Sequence, residues 1–179
     1  AGMTLGVPRW HFLDGMDEHV AADFERALSL LSRAGARILD LDLRAMDRLS
    51  DLTAQGGITA AEAWAWHAPW VERHAPLYDP RVLARVRRGA AIDTPTLTGL
   101  HALRRDWIGA LRAETEGLDA LMCPTVPVIA PRIDLLVADD DRFFHDNALL
   151  LRNPSVVNLY DGCAISLPCH RPETPPTGL

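Results

Sequence analysis

Apolar positions recur at two different periods along the chain, and the switches between them mark its elements. MTLGVPRW (3–10) is a short apolar run closed by Pro8, which predicts a strand over 3–8. MDEHVAADFERALSLLSRAG (16–35) places Val20, Phe24, Ala27, Leu28 and Leu31 at helical spacing. Asp17 and Glu18 stand in its first turn, and Gly35 sits where a C-terminal cap belongs. ARILDLDL (36–43) sets Ile38 and Leu39 among acidic residues and predicts a second strand. Strand, helix, strand over about forty residues makes a βαβ unit, with parallel strands and a right-handed crossover. Asp40 and Asp42 point outward, so this strand is expected at a sheet edge, since inward charges would be costly.

The middle of the chain keeps the helical period. TAAEAWAWHAPWVERHAP (59–76) predicts a tryptophan-rich helix that Pro69 should kink or split. DPRVLARVRRGA (79–90) opens with Asp79 as cap and Pro80 at the first helical position, and ends on basic residues before Gly89. TPTLTGLHALRRDWIGALRAETEG (94–117) repeats that punctuation, with Thr94 as cap, Pro95 next and Gly117 at the end. Leu100, Leu103, Trp107 and Leu111 mark its buried stripe. A further helix is predicted over 143–151.

DALMCPTVPVIAP (119–131) changes character within a few residues. Ala120 to Cys123 predict a buried strand over 119–123, but Pro124, Pro127 and Pro131 follow. Proline lacks the N–H that a central strand donates, so the ladder must stop near Pro124 and the chain continues in stiff, polyproline-like backbone. In α/β sheets, ligands bind at such carboxyl ends of strands. A proline- and aspartate-rich loop spans 124–142, and CAISLP predicts another buried strand over 163–167, stopped by Pro168. No internal repeat or low-complexity linker divides the chain, so one domain is expected over 1–179.

Composition narrows the function classes. The 179 residues, 48% hydrophobic and 23% charged, suit a globular domain with a core. A net charge of −6 argues against a nucleic-acid partner, whose phosphates reward clustered cations. No apolar run approaches the roughly 20 residues that span a bilayer, and the opening AGMTLGVPRW lacks the regions of a signal peptide. A cytoplasmic location and no membrane partner are expected. Cys123, Cys163 and Cys169 form neither an even set nor a CxxC pair, so reduced, mostly buried thiols are expected. All 18 basic residues are arginine, so lysine is unavailable as a base or nucleophile. Serine is confined to Ser29, Ser32, Ser50, Ser155 and Ser166.

Several residue groups suggest chemistry and then fail its requirements. His67 and His74 lack a third ligand at metal spacing and are read as surface or partly buried histidines. ADDD (138–141) lacks the alternating ligands of a calcium loop and is read as solvated. Gly56 and Gly57 lack the further glycines of a phosphate-binding turn. Trp64, Trp66, Trp70 and Trp107 are read as core rather than as a stacking platform. No serine stands in a GxSxG-like elbow. Neither a metal nor a cofactor is expected.

GLDALMCPTVPVIAP resembles the segment of amidase signature enzymes that typically reads fDallxPtxpxxAP. RNPSVVNLYDGCAISLPC resembles their later segment, R-N-T-x-x-x-N-x-x-x-x-x-A-I-S-x-P. YDPRVLARVRRG resembles the helix before these, and MTLGVPRW with AGARILDLDL resembles the family's G-V-P strand and its G-A-x-V partner. The four matches keep the family's order and cover nearly the whole chain.

This resemblance implies an α/β fold: part of the amidase signature fold, a mixed β-sheet flanked by α-helices. It also implies hydrolysis of the C–N bond of a small-molecule amide. The family's nucleophile is a serine activated by a second serine and a lysine, with oxyanion-stabilising N–H groups in a glycine- and serine-rich stretch. None of that apparatus has a counterpart here, so no catalytic residue is assigned. The chain is expected to be a C-terminal part of an amidase domain, with the rest of the enzyme polypeptide as its partner. Pro124, Thr125, Arg152, Asn153 and Asn158 match positions beside the substrate, although Arg152 could equally be a structural residue pairing with a nearby carboxylate. Leu151 falls near where glutamine-binding members carry aspartate, so the tRNA-amidotransferase branch is not expected. Pro154 replaces the usual threonine, and Asp161–Gly162–Cys163 replaces a glycine-x-proline, which puts the local loop conformation in question. A non-catalytic binding or regulatory domain derived from an amidase is the alternative reading. An apolar strand left uncovered would make the segment marginally stable, aggregation-prone or a homodimer.

Overall fold

Residues 2–179 are described by a computed structural model, whose contacts divide the chain into two units: Ala1–Arg44 with Arg112–Leu179, and Ala45–Leu111. In the first, strands β1 (Thr4–Pro8), β2 (Arg37–Leu41) and β3 (Ala120–Leu121) form a parallel sheet in the order β2-β1-β3. Helix α1 (Glu18–Arg33) joins β1 to β2 as the periodicity predicts. Asp17 caps it by accepting the Val20 N–H at 2.7 Å, and Gly35 leaves it with φ of +91°. Leu5, Val7, Phe24, Leu28 and Met122 pack into one core between sheet and helix. β2 lies at the edge, where Asp40 pairs with Arg9 at 2.7 Å in solvent.

Two strand expectations change. β3 is only two residues long, and both are exposed; Met122 just beyond it is buried, donating its N–H to the Gly6 carbonyl at 2.8 Å. Pro124 ends the ladder early, and β3 is itself an edge, so the run is not covered on both sides. Residues 163–167 form no strand and are exposed, Ile165 to 77%. Pairing starts only at Leu167, which exchanges two backbone bonds with Leu179 (2.8 and 3.0 Å). An apolar run becomes a buried strand only where sheet neighbours cover it.

The second unit is helical: α2 (Leu49–Thr53), α3 (Gly57–His74), α4 (Pro80–Arg88) and most of α5 (Thr94–Glu114). Pro69 does not split α3. Pro69 and Ala65, whose carbonyl it frees, are both exposed, so water can satisfy that oxygen. The cap of α5 is Asp93, which accepts the Thr96 N–H at 2.9 Å, rather than Thr94. Of the four tryptophans read as core, only Trp107 is buried; Trp66 and Trp70 face solvent. The indole of Trp107 donates to the Ala45 carbonyl at 2.8 Å.

Back in the first unit, α6 (Ile133–Ala138) occupies what reads in sequence as loop, and α7 (Asp140–Tyr160) is far longer than 143–151. Asp139, from the acidic run, caps α7 by accepting the Arg142 N–H at 3.1 Å. Pro154 costs α7 one bond but does not end it, because buried Asn153 and Val156 anchor the helix on either side. All three cysteines are free, but Cys163 is exposed and the other two are half-buried, against the expectation of burial.

Candidate functional site

The carboxyl ends of β1 and β3 lie side by side, because the strands are adjacent and parallel. Two loops leave from there, residues 9–16 after β1 and the proline run after β3. The first folds tightly: His11 takes φ of +70°, and its N–H donates to Asp14 Oδ2 at 2.9 Å. Phe12 turns inward and is buried. In the second, Pro124 and Pro127 are fully buried.

Helix α7 ties these loops together. Arg152 donates through Nη1 to the Asp14 carbonyl (2.6 Å), through Nη2 to the Phe12 carbonyl (3.1 Å) and through Nε to Asn153 Oδ1 (3.3 Å). Asn153 Nδ2 donates to the carbonyls of Phe12 (3.1 Å) and Pro124 (2.7 Å). Asn153 is 1% exposed, so it lies beneath the rim and not in its open face. Arg152 therefore makes the structural pairing weighed in the sequence, to carbonyls in place of a carboxylate. Thr125 donates its N–H to the Gly178 carbonyl at 2.8 Å, and its hydroxyl lies 2.5 Å from Ser166 Oγ. The structure thus brings Pro124, Thr125, Arg152 and Asn153 around one rim. Asn158 is not brought into it by any of these bonds: it is exposed on the last turn of α7, five residues and about 140° around the helix from Asn153.

Electrostatics follow from this packing. Burial pushes the Cys123 thiol up to about 11, with the Arg152 charge pulling weakly the other way. Burial, then the Arg152 charge, holds the His11 imidazole below its usual range against the opposing pull of Asp14. Neither group is poised as a nucleophile or acid at neutral pH.

Asp17 belongs to this rim, although its sequence signal is only that of an acidic residue at the start of a helix. Its Oδ2 accepts the Ile129 N–H at 2.7 Å, and its own N–H donates to the Pro127 carbonyl at 3.0 Å. Phe12 acts through its backbone carbonyl, which leaves no signature in sequence. Beside Thr125 opens a cavity of about 290 Å³ lined by Val20, Val126, Ser166, His170 and Thr177. Behind it, buried Asp23 accepts from Thr177 Oγ1 (2.8 Å) and Arg26 (3.2 Å), and Arg26 also donates to the Cys169 carbonyl. Among the described residues no group of three or more His, Cys, Asp or Glu could hold a metal, and no helix is long and apolar enough to cross a membrane.

No protein-family model matches the chain. It is 31% identical over 172 residues to a 2-amino-5-chloromuconic acid deaminase of Comamonas testosteroni, covering 93% of this chain and 36% of that protein. The homologues and structural neighbours of the chain are amidase signature family members, each matched over a portion of its length. A glutamyl-tRNA(Gln) amidotransferase component from Desulforamulus reducens is 27% identical over 202 residues, covering 99% of this chain and 40% of that protein. The allophanate hydrolase of Kluyveromyces lactis shares the amidase signature fold, with a TM-score of 0.82 at 17% identity over 99% of this chain and 28% of that one. The chain therefore spans less than half the length of the family members it matches.

Proposed function

We propose that this chain is the substrate-rim segment of an amidase that hydrolyses the C–N bond of small-molecule amides. The observation that carries this reading is the pair of loops at the carboxyl ends of β1 and β3, tied to each other by Arg152 and Asn153. That is where α/β sheets hold ligands, and the proline run supplies a wall that needs little ordering on binding. Thr125 lines this wall, with Pro124 and Arg152 setting its position from behind, and Asn158, which lies elsewhere on α7, is left out of it. Attack on the amide carbonyl requires an activated serine and oxyanion donors, and a lysine-based activation cannot come from these residues. The partners are therefore a small amide and the remaining part of the enzyme polypeptide, in one cytoplasmic protein. The exposed run 163–167, with Ile165 and Leu167 outward, is the surface that the remaining part would cover, or that a second copy would cover in its absence.

Ammonia release tests this directly. The 179-residue chain should leave simple aliphatic and aryl amides unchanged, whereas a polypeptide that joins it to the serine- and lysine-bearing part should turn them over. Turnover by the 179-residue chain alone, or none by the joined polypeptide across a panel of amides, would sink the reading.

A further inference from the structure

We propose that Asn153 is a positioning residue that sets the Pro124 end of the proline run against the loop after β1, without touching substrate. A carboxamide side chain offers two N–H donors and one carbonyl. Both contacts from Nδ2 are taken by protein carbonyls, those of Phe12 at 3.1 Å and Pro124 at 2.7 Å. Its Oδ1 accepts from Arg152 Nε at 3.3 Å, and the residue is 1% exposed. Both Asn153 donor contacts are thus spent on protein, and burial keeps its oxygen from a ligand. Buried Pro124 lies past the end of β3, where no sheet neighbour offers an N–H to its carbonyl, and the Phe12 carbonyl, which also accepts from Arg152, is the fixed point to which Asn153 ties it. Asp17 does the matching work further along, at Pro127 and Ile129. The run is thus held at 124 by the Asn153 side chain, at 127 by the Asp17 backbone N–H and at 129 by the Asp17 carboxylate.

The catalytic part of this role rests on the amidase reading above; the positional part does not. Half-buried Cys123, next to Pro124 and with its thiol pKa raised by partial desolvation, reports rim opening in the chain itself, and exposed Cys163 gives a reference rate. Asn153→Asp keeps the shape and removes both donors; Asn153→Ala removes the group altogether. Iodoacetamide labelling at pH 8 with peptide mass mapping should show the Cys123-to-Cys163 rate ratio rising on the order of tenfold in either variant, as buried hydrogen bonds are lost. The helical circular dichroism and the Cys169 rate should stay as they were. An unchanged ratio in a folded variant overturns the proposal. So does a joint rise of Cys123 and Cys169 with loss of helix signal, because Asn153 would then hold up the whole unit. In the joined polypeptide, kcat should fall on the order of tenfold while KM stays within about twofold. A raised KM at constant kcat would mean that Asn153 binds substrate, and would equally overturn it. If the unaltered polypeptide turns over no amide, the amidase reading falls while the labelling result still decides the positional role.

Discussion

In the sheet-bearing unit a side-chain hydrogen bond spans 154 residues; in the helical unit the Trp107 bond to the Ala45 carbonyl spans 62, and close packing does more of the work. Asn153 bonds a carbonyl 141 residues away, and Thr177 a carboxylate 154 residues away. The acidic excess of the chain also lies in that unit, whereas Ala45–Leu111 is nearly charge-balanced. The helical unit relies on close fit. An added Cβ at Gly89 would stand 1.9 Å from the Ala60 carbonyl oxygen, so α3 can approach that turn only because glycine is there. Directional polar bonds fix where a loop sits, while apolar packing fixes only that a volume is filled. A binding rim needs the former, which is why the candidate site lies in the sheet-bearing unit.

The largest test of this contrast is Trp107→Ala. Removing a ring that is 1% exposed should cost about 3–5 kcal/mol. Urea unfolding with hydrogen exchange should place the loss in residues 45–111; equal deprotection of the proline run would break the contrast. Next comes Gly89→Ala, for which overpacking against a backbone oxygen should cost about 1–3 kcal/mol. Gly6→Ala in β1 should cost less, because the atoms it meets first are the ends of the Leu41 and Leu118 side chains, which can turn away. A Gly6→Ala loss larger than that of Gly89→Ala in thermal melts would reverse the assignment.

The smallest effect is the response to acid. Burial raises the Asp23 carboxyl, but hydrogen bonds from Thr177 and Arg26, with the nearby His19 and Arg26 charges, bring it below its usual 3.8. Its stabilising contribution is complete above that value and disappears as pH falls through the lowered native value. His11, lowered from 6.5 chiefly by burial, contributes in the same sense: in full above 6.5, and lost as pH falls toward its native value. Both groups sit in the sheet-bearing unit, so amides of 11–14 should lose exchange protection between pH 7 and 4 through His11, and those beside Thr177 only below 3.8 through Asp23, in each case before those of 45–111. Simultaneous loss in both units would show that these charges do not distinguish them.

Local pattern alone determined the βαβ start, the cap at Asp79 and the course of α1 and α4, because each depends on residues within a turn or two of one another. The proline stop at Pro124 was equally legible, since a missing N–H acts wherever the residue stands. Tertiary structure decided what pattern could not. Pro69 and Pro154 look like breaks, yet helices continue through both, because the cost of a single lost bond is outweighed by packing along the helix. Trp66 and Trp107 carry the same ring, and only the neighbours of each determine that one is exposed and the other buried. At the candidate site, sequence could mark Arg152 and Asn153 but could not say which way they work. Their partners are the carbonyls of Phe12, Asp14 and Pro124, groups that every residue carries and that become particular only when the chain brings them together.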